Sequence, residues 1–401
     1  MDTISQRKKV VIAGGGNAGI SLAAFLRRKA SDLHIIVIEP SEYHYYQPAW
    51  TMVGGGIYPL EKTFRITKTL IPDGVEWIRD KVAAFDPENS HVVLASGKIE
   101  TYDVLVVAVG IKLLWEQVQG LAETLGKNDV CSVYGYELAG YTRRCLENFR
   151  GGRALFTAPD TPVKCGGAPQ KIMYLAADNF HRRGLSAHSS VEYWSGGTRV
   201  FGIEKYEKTL KKVIERYNIK TFFRVKLSAV DGERRIATFQ GIGEHNKGHR
   251  YEERFDLLHV VPPQGPPDVV AQSPLADDKG WVAVDKHTLQ HPRWPNVFAL
   301  GDCAGLPVSR TGAAVRKQMP VVAHNLLAVL EGRPLTHSYN GYSSCPIITG
   351  YGRLVLAEFD YDLQPQETFP FDQSKERWTM YALKRYILPW LYWNKILRGK
   401  M

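Results

Sequence analysis

The chain has 401 residues, with 51 Lys+Arg against 41 Asp+Glu and a formal net charge of +10. That length accommodates two to three domains of roughly 100–200 residues each. A composition 44% apolar and 23% charged excludes a disordered or fibrous chain, and no apolar run approaches the roughly 18–20 residues of a membrane-spanning helix.

A strand pattern begins at Lys9, which leaves no room for a signal or transit peptide in the chain as it stands; a trimmed mature form would read the same way. Lys9–Ala13 is an apolar strand. Gly14, Gly16 and Gly19 follow with the spacing G-x-G-x-x-G, enclosing Asn17 and Ala18, and Ile20–Arg28 continues as a helix. Leu33–Ile38 is a second apolar strand that ends at Glu39. A glycine turn at a helix N-terminus offers backbone N–H groups and the positive end of the helix dipole to a pyrophosphate. An acid where Glu39 stands would bind a ribose hydroxyl.

Two later segments complete a pattern. Tyr102–Gly110 (YDVLVVAVG) is a buried strand carrying Ala108 and ending at Gly110, and Val297–Asp302 (VFALGD) is another, ending in Gly301-Asp302. With the first segment they resemble the FAD-binding pattern of the two-dinucleotide-domain flavoprotein disulfide reductases. In that pattern the Gly-Asp acid holds the ribityl chain of the flavin. The following helix, Ala313–Leu330, would face the flavin pyrimidine ring with its N-terminus, where a positive dipole favours the reduced anionic flavin. Lys317 and Gln318 on this helix are candidates for touching the flavin or a quinone; ordinary polar helix positions are the alternative.

Between these segments lies a second α/β unit, with strands at Ala154–Thr157 and Val191–Trp194 and a helix at Pro169–Arg183. Its first turn, Pro159–Gly167, is long and has no G-x-G-x-x-G; its second strand ends in Ser195-Gly196-Gly197, not in an acid. The nicotinamide site reads as lost. The fold class is therefore α/β, two Rossmann-like dinucleotide-binding domains with a C-terminal amphipathic segment. Residues 1–113 form the first part of the FAD domain, 114–265 the degenerate second domain, 266–335 the rest of the FAD domain, and 336–401 a C-terminal interface and membrane-anchoring region.

Five cysteines are too few, and odd in number, for a disulfide framework, so an important cysteine here is a reactive one. Cys165, in VKCGGAPQKI, lies just before a helix N-terminus with Lys164 beside it and Lys171 one turn in. That electropositive setting lowers a thiol pKa and makes the thiolate a nucleophile. Cys345, in YSSCPIITGYG, reads from its neighbours as a loop cysteine whose role stays open. Cys145 lies on a helix pattern and is packed, Cys131 begins a short strand, and Cys303 follows the Gly-Asp motif. No CxxC or Cys/His cluster suggests a metal.

From Lys375 to Met401 the tail holds seven Lys/Arg against one acid, Glu376, and so carries +6 of the +10. Trp378, Tyr381, Tyr386, Trp390, Tyr392 and Trp393 are interleaved with these cations. Pro389 is expected to split the tail into two short helices suited to lying in a bilayer interface. Lys384, Arg385, Trp390, Trp393 and Lys395 are the expected contacts with an anionic membrane surface. Packing on the protein's own core is the alternative; nucleic acid is not expected, because the aliphatic residues of the tail would lie idle against phosphate.

The stretches VVIAGGGNAGISLA, EYHYYQPAWTMVGGG, VKCGGAPQKIMYL, HVVPPQGPPD, FALGDCAGLP, YSSCPIITGYGRLVLAEFDY and ETFPFDQSKERW together resemble the sulfide:quinone oxidoreductases of the mitochondrial-like subgroup, over nearly the whole length. The resemblance implies that Cys165 and Cys345 flank the flavin and cycle through a sulfur-bridged state. It adds Pro48 to the cofactor-binding positions. No cysteine precedes Cys131, so a two-cysteine scheme is assumed. Hydrosulfide attacks the bridge, Cys345 keeps the persulfide, and Cys165 passes two electrons to FAD. The sulfur goes to a small acceptor (thiol, sulfite or polysulfide) and the electrons to a membrane quinone, with Phe359, Phe371, Trp378 and Tyr381 as candidate quinone contacts. The implied location is peripheral, on the cytoplasmic face of a bacterial inner membrane, or on the mitochondrial inner membrane for a trimmed form; a homo-oligomer is left open. Two rivals share these features: an NADH:quinone oxidoreductase of the same fold and a non-catalytic membrane-docked flavoprotein sensor.

Overall fold

A computed structural model describes residues 7–401. Two parallel five-stranded sheets organise the chain. The first has the order Val297–Ala299, Val104–Val107, Lys9–Ala13, His34–Ile38, Val75–Ile78, every pairing parallel. Its inner strands are apolar apart from Lys9 and His34 at their starts, as a parallel sheet covered by helices requires; Val10 to Ala13 and Val104 to Val107 are completely buried. The second sheet has the order Val130–Cys131, Leu257–His259, Gly152–Ala158, Ser189–Ser195, Lys220–Phe223, again parallel. Between the two, the outgoing segment Lys112–Leu113 pairs antiparallel with the returning segment Gln264–Gly265.

Helix Asn17–Lys29 starts at the glycine turn and packs under the first sheet. Helix Gly312–Leu330 opens with the Thr311 hydroxyl accepting from the Ala314 N–H at 3.1 Å. The second domain's helix runs over Ala168–Arg182 with Gly167 as its N-cap. Pro169 thus occupies the second helical position, not the first, and is still in the first turn, where a missing N–H costs nothing.

The C-terminal region adds a hairpin, Ser343–Gly350 with Arg353–Phe359, and a helical tail. Pro389 does not split that tail. Helix Trp378–Ala382 passes through a π-turn, Leu383–Ile387, directly into helix Leu388–Asn394, where the proline stands in the first turn. The widened turn accommodates the residue that lacks an N–H donor, so the path stays continuous. Among the described residues no helix is long and apolar enough to cross a membrane.

Candidate functional site

The glycines of the first turn are fixed by contact as well as by conformation. Gly14 has φ +106°, and a Cβ there would meet the Ala108 carbonyl oxygen at 2.4 Å; a Cβ on Gly19 would lie 1.8 Å from the Gly14 carbonyl oxygen. The turn is thereby closed against the neighbouring strand and its own helix. Gly16 differs, since a Cβ there would meet nothing within 4 Å. It caps a helix whose first turn receives no side-chain cap, so free N–H groups face open space beside it. Glu39 turns its carboxylate onto this corner and accepts from the N–H groups of Gly15 and Ser41, both at 2.8 Å.

The other end of the groove is built around Asp302. Burial raises its pKa, with Lys164 and Arg310 pulling it back down, and its carboxylate oxygens accept no hydrogen bond from the described residues. Gly301 ahead of it has φ +79°, and its N–H donates to the Gln318 side chain at 2.9 Å. Gln318 is buried and holds the turn, whereas Lys317 is exposed on the helix with its ammonium 5.4 Å from the Tyr342 ring. Lys164 donates to the Gln47 side chain at 2.6 Å, next to Pro48, and Asn17 reaches toward Gly312. Uncapped N–H groups at one end and a half-buried carboxylate wanting hydroxyl donors at the other fit the pyrophosphate and ribityl groups of FAD.

Nine residues follow strand Gly152–Ala158 before the next helix begins. They leave the sheet and are stitched to the FAD domain. The Cys165 N–H donates to the Arg310 carbonyl at 2.8 Å, and the Lys164 N–H donates to Gln264 Oε1 at 2.9 Å. Cys165 is held at φ +56°, a conformation that costs a non-glycine residue about 1 kcal/mol or more and is retained because both neighbouring peptides are anchored.

Cys345 is brought to Cys165 by the C-terminal hairpin. It sits within a strand, not in a loop, paired with Ala357, and is 3% exposed. Gly167 is the contact that lets it in, since a Cβ there would lie 2.4 Å from Cys345 Sγ. The two thiols influence one another and are shifted in opposite directions. Cys165 is pulled well below its ordinary range, first by the Cys345 thiol and then by Lys171 and Lys384 against the opposing effect of burial. Cys345 is pushed well above its range, first by its bond to Cys165 and then by burial. Lys171 Nζ lies 3.1 Å from Cys165 Sγ; burial alone would lower its pKa, but the two sulfurs raise it.

Lys384 is the residue most displaced from expectation. It is 4% exposed and faces Lys171 and the cysteine pair, with its pKa lowered to about 7 by burial and by the Lys171 charge. Trp393 is also buried, packed on His44 and Tyr46 with Arg65 over its ring at 4.8 Å. Neither side chain reaches the surface, because the uninterrupted tail turns one face inward onto the protein. Trp378, Tyr386, Ile387 and Trp390 are the large apolar residues that stay outside. Arg385 lies over Tyr386 and Lys395 over Trp390, at 5.1 and 5.7 Å.

The proposed quinone contacts also divide. Phe371 and Tyr381 join one apolar cluster beneath the tail, together with Leu354 and Leu356, and Trp378 stands exposed beside it. Phe359 packs instead on Phe201 in the second domain. The alternation of the strand explains this: Val355, Ala357 and Phe359 point to one face, Leu354 and Leu356 to the other. The remaining cysteines are buried thiols. Cys131 is raised first by burial and then by its bond to Cys145, and Cys303 donates to the Val107 carbonyl at 3.4 Å.

Residues 8–143 match the pyridine nucleotide-disulphide oxidoreductase family. The chain is 41% identical over 397 residues to the mitochondrial sulfide:quinone oxidoreductase of Mus musculus, covering 99% of this chain and 88% of the relative. It is 43% identical to that of Dictyostelium discoideum, with coverages of 98% and 86%. The crystal structure of the sulfide:quinone oxidoreductase from Aquifex aeolicus superimposes with a TM-score of 0.81 at 22% identity, covering 96% of this chain and 92% of that one. A groove that fits FAD, a cysteine on the segment that follows strand Gly152–Ala158, and relatives of one kind over nearly the whole chain point the same way: the chain belongs to the sulfide:quinone oxidoreductase family.

Proposed function

We propose that this protein oxidises hydrogen sulfide to sulfane sulfur at Cys165 and Cys345, with the electrons leaving through FAD to a membrane quinone. The observation that carries this reading is the meeting of two cysteines beside a groove that fits FAD, with Cys345 Sγ seated against Gly167 and the Lys171 ammonium 3.1 Å from Cys165 Sγ. FAD, when bound, supplies a two-electron acceptor at this junction.

The residues assign the direction of attack. Hydrosulfide, an anion, is drawn by Lys171 and attacks Cys345 Sγ of the joined pair. One S–S bond forms and the Cys165–Cys345 bond breaks. Cys345 is left with a persulfide, and Cys165 leaves as the thiolate that Lys171 holds. The sulfide sulfur has lost an electron pair and the cysteine pair has gained it. A small acceptor thiolate, sulfite or polysulfide then takes the outer sulfur from Cys345, leaving two reduced cysteines. Rejoining them releases two electrons and two protons, the number a quinone takes up to become a quinol. The lower-pKa thiol is the better leaving group, which is why Cys165 and not Cys345 is released.

Phe371, Trp378 and Tyr381 are the proposed quinone contacts, close to Lys384 and the tail. The exposed ring face of Trp378, Tyr386, Ile387 and Trp390, flanked by Arg385 and Lys395, is the proposed membrane-docking surface. The named relatives are mitochondrial proteins, which favours a mitochondrial membrane over a bacterial one.

Anaerobic titration of the purified holoenzyme tests the reading. Sulfide is expected to bleach the flavin near 450 nm, on the order of one equivalent per flavin, while NADH leaves it oxidised. Cys165→Ser and Cys345→Ser should each abolish the sulfide response. Bleaching by NADH but not by sulfide would instead identify an NADH:quinone oxidoreductase, and quinone reduction unaffected by the cysteine variants would leave only a docked flavoprotein.

A further inference from the structure

The glycine turn that fits the FAD pyrophosphate is bonded to the C-terminal tail through one buried histidine. His44 lies on strand Tyr43–Tyr45 and is 5% exposed. Its Nδ1 is 3.2 Å from the Gly15 carbonyl oxygen and its Nε2 is 2.6 Å from the Tyr392 hydroxyl. Tyr392 belongs to helix Leu388–Asn394, almost 350 residues away in the chain.

The chemistry of the three groups fixes every proton in this relay. A carbonyl only accepts, so Nδ1 carries the hydrogen and donates to Gly15. Nε2 is then the unprotonated nitrogen, and Tyr392 must donate to it. Both assignments agree with the surroundings: burial pushes the His44 pKa down to about 4 and raises that of Tyr392, so a neutral ring meets a neutral phenol. Packing holds the pair from both sides. The Tyr46 ring centroid is 4.5 Å from that of Tyr392, and Trp393 meets His44 edge-on at 5.9 Å. The two peptide groups that flank the Gly15 Cα are therefore each held, one through the Gly15 N–H by Glu39 and the next through the Gly15 C=O by His44.

We propose that Tyr392 and His44 are positioning residues for the FAD-binding turn, making the C-terminal helix part of the cofactor grip. Gly14, Gly15 and Gly16 cannot hold their own peptide planes by side chains, because they have none. Glu39 and His44 supply the restraint from outside, and the His44 half of it is set by where the tail helix sits. The coupling is reciprocal by linkage: a seated tail slows FAD release, and bound FAD holds the tail helix closed.

The test uses the holoenzyme and reads FAD release by the gain of flavin fluorescence on dilution. Tyr392→Phe keeps the ring and its packing and removes only the donor. It should release FAD about five- to tenfold faster, the size expected when one buried hydrogen bond is lost. His44→Gln, whose amide N–H can still donate to Gly15, should release FAD more slowly than His44→Ala. Hydrogen exchange supplies a second readout that packing alone would not move: Leu388–Asn394 should lose its FAD-dependent protection in Tyr392→Phe while its fold is retained by circular dichroism. Wild-type FAD release in Tyr392→Phe, with FAD-dependent protection of the tail unchanged, would overturn the proposal. If sulfide fails to bleach the flavin at all, the sulfide reading falls, while FAD release in these variants still decides the positioning role.

Discussion

Lys171 stands 3.1 Å from the sulfur proposed to act as a thiolate, and the direction of its influence gives a pH prediction. The folded pKa of Cys165 is lowered, so its thiolate survives to a lower pH than a free thiol's, and any stability the charge contributes is lost as pH falls through that lowered value. Lys171→Met removes the nearest cation. The pH midpoint for alkylation of reduced Cys165 by iodoacetamide should move up, and the rate at pH 7 should fall roughly tenfold or more. An unchanged midpoint, followed by mass spectrometry of the Cys165 peptide, would show that the Cys345 thiol alone holds the charge. At this scale the sequence is informative where chemistry is local: Cys165 beside Lys164 and Lys171 is legible from spacing. The meeting of Cys165 with Cys345, of Lys384 with Lys171, and of His44 with Tyr392 is not, because each joins elements that only the completed fold brings together.

The element that matters most is the segment 159–167. In a nucleotide-binding βα unit a short glycine turn lies close to the sheet; here the segment is long enough to cross to Arg310 and deliver a cysteine. Its missing glycine spacing is visible in the sequence, but its destination is not, since irregular backbone carries no periodicity to read. Gly167 is the tightest point. Gly167→Ala would drive a Cβ to 2.4 Å from Cys345 Sγ, and either the sulfur or the helix start must shift. Sulfide turnover should fall by about a hundredfold, the scale of a misplacement near 1 Å, with flavin content and melting temperature little changed. A variant with full turnover would mean that the pair tolerates rearrangement. The tail shows the opposite kind of misreading. A proline in mid-segment predicts a break, and the π-turn absorbs it, so a continuous helix buries two residues that a broken one would have exposed.

For the whole molecule the excess charge needs a narrower interpretation than composition allows. The tail carries the surplus, yet Lys384 is spent inside the protein, and only part of the basic set flanks the exposed rings. Replacing Trp390 and Ile387 with serine should release the protein from anionic vesicles in co-sedimentation, raising the free fraction about tenfold or more for two lost apolar anchors, while soluble-quinone activity persists. Arg385→Glu with Lys395→Glu should do so in a salt-dependent way. Vesicle binding that survives both sets would remove the docking surface from this face. The apolar runs mark four strands of the first sheet and three of the second, while Val75–Ile78, Leu257–His259 and Lys220–Phe223 are not read from them; also left out is which face of each amphipathic element looks inward.

The cysteine bridge also has a polymer-physics side. Cys165 and Cys345 are separated by roughly 180 residues, nearly half the chain, so joining them closes one very large covalent ring. In the chain-entropy picture a ring of that size removes about 5 kcal/mol of unfolded-state freedom. Both cysteines are free thiols in the structure; under the proposed mechanism each round of sulfide oxidation closes and reopens the ring. On that proposal the enzyme would alternate, once per turnover, between a circularised and a linear polymer of the same fold, and its resistance to unfolding would rise and fall with the oxidation state of its own sulfurs.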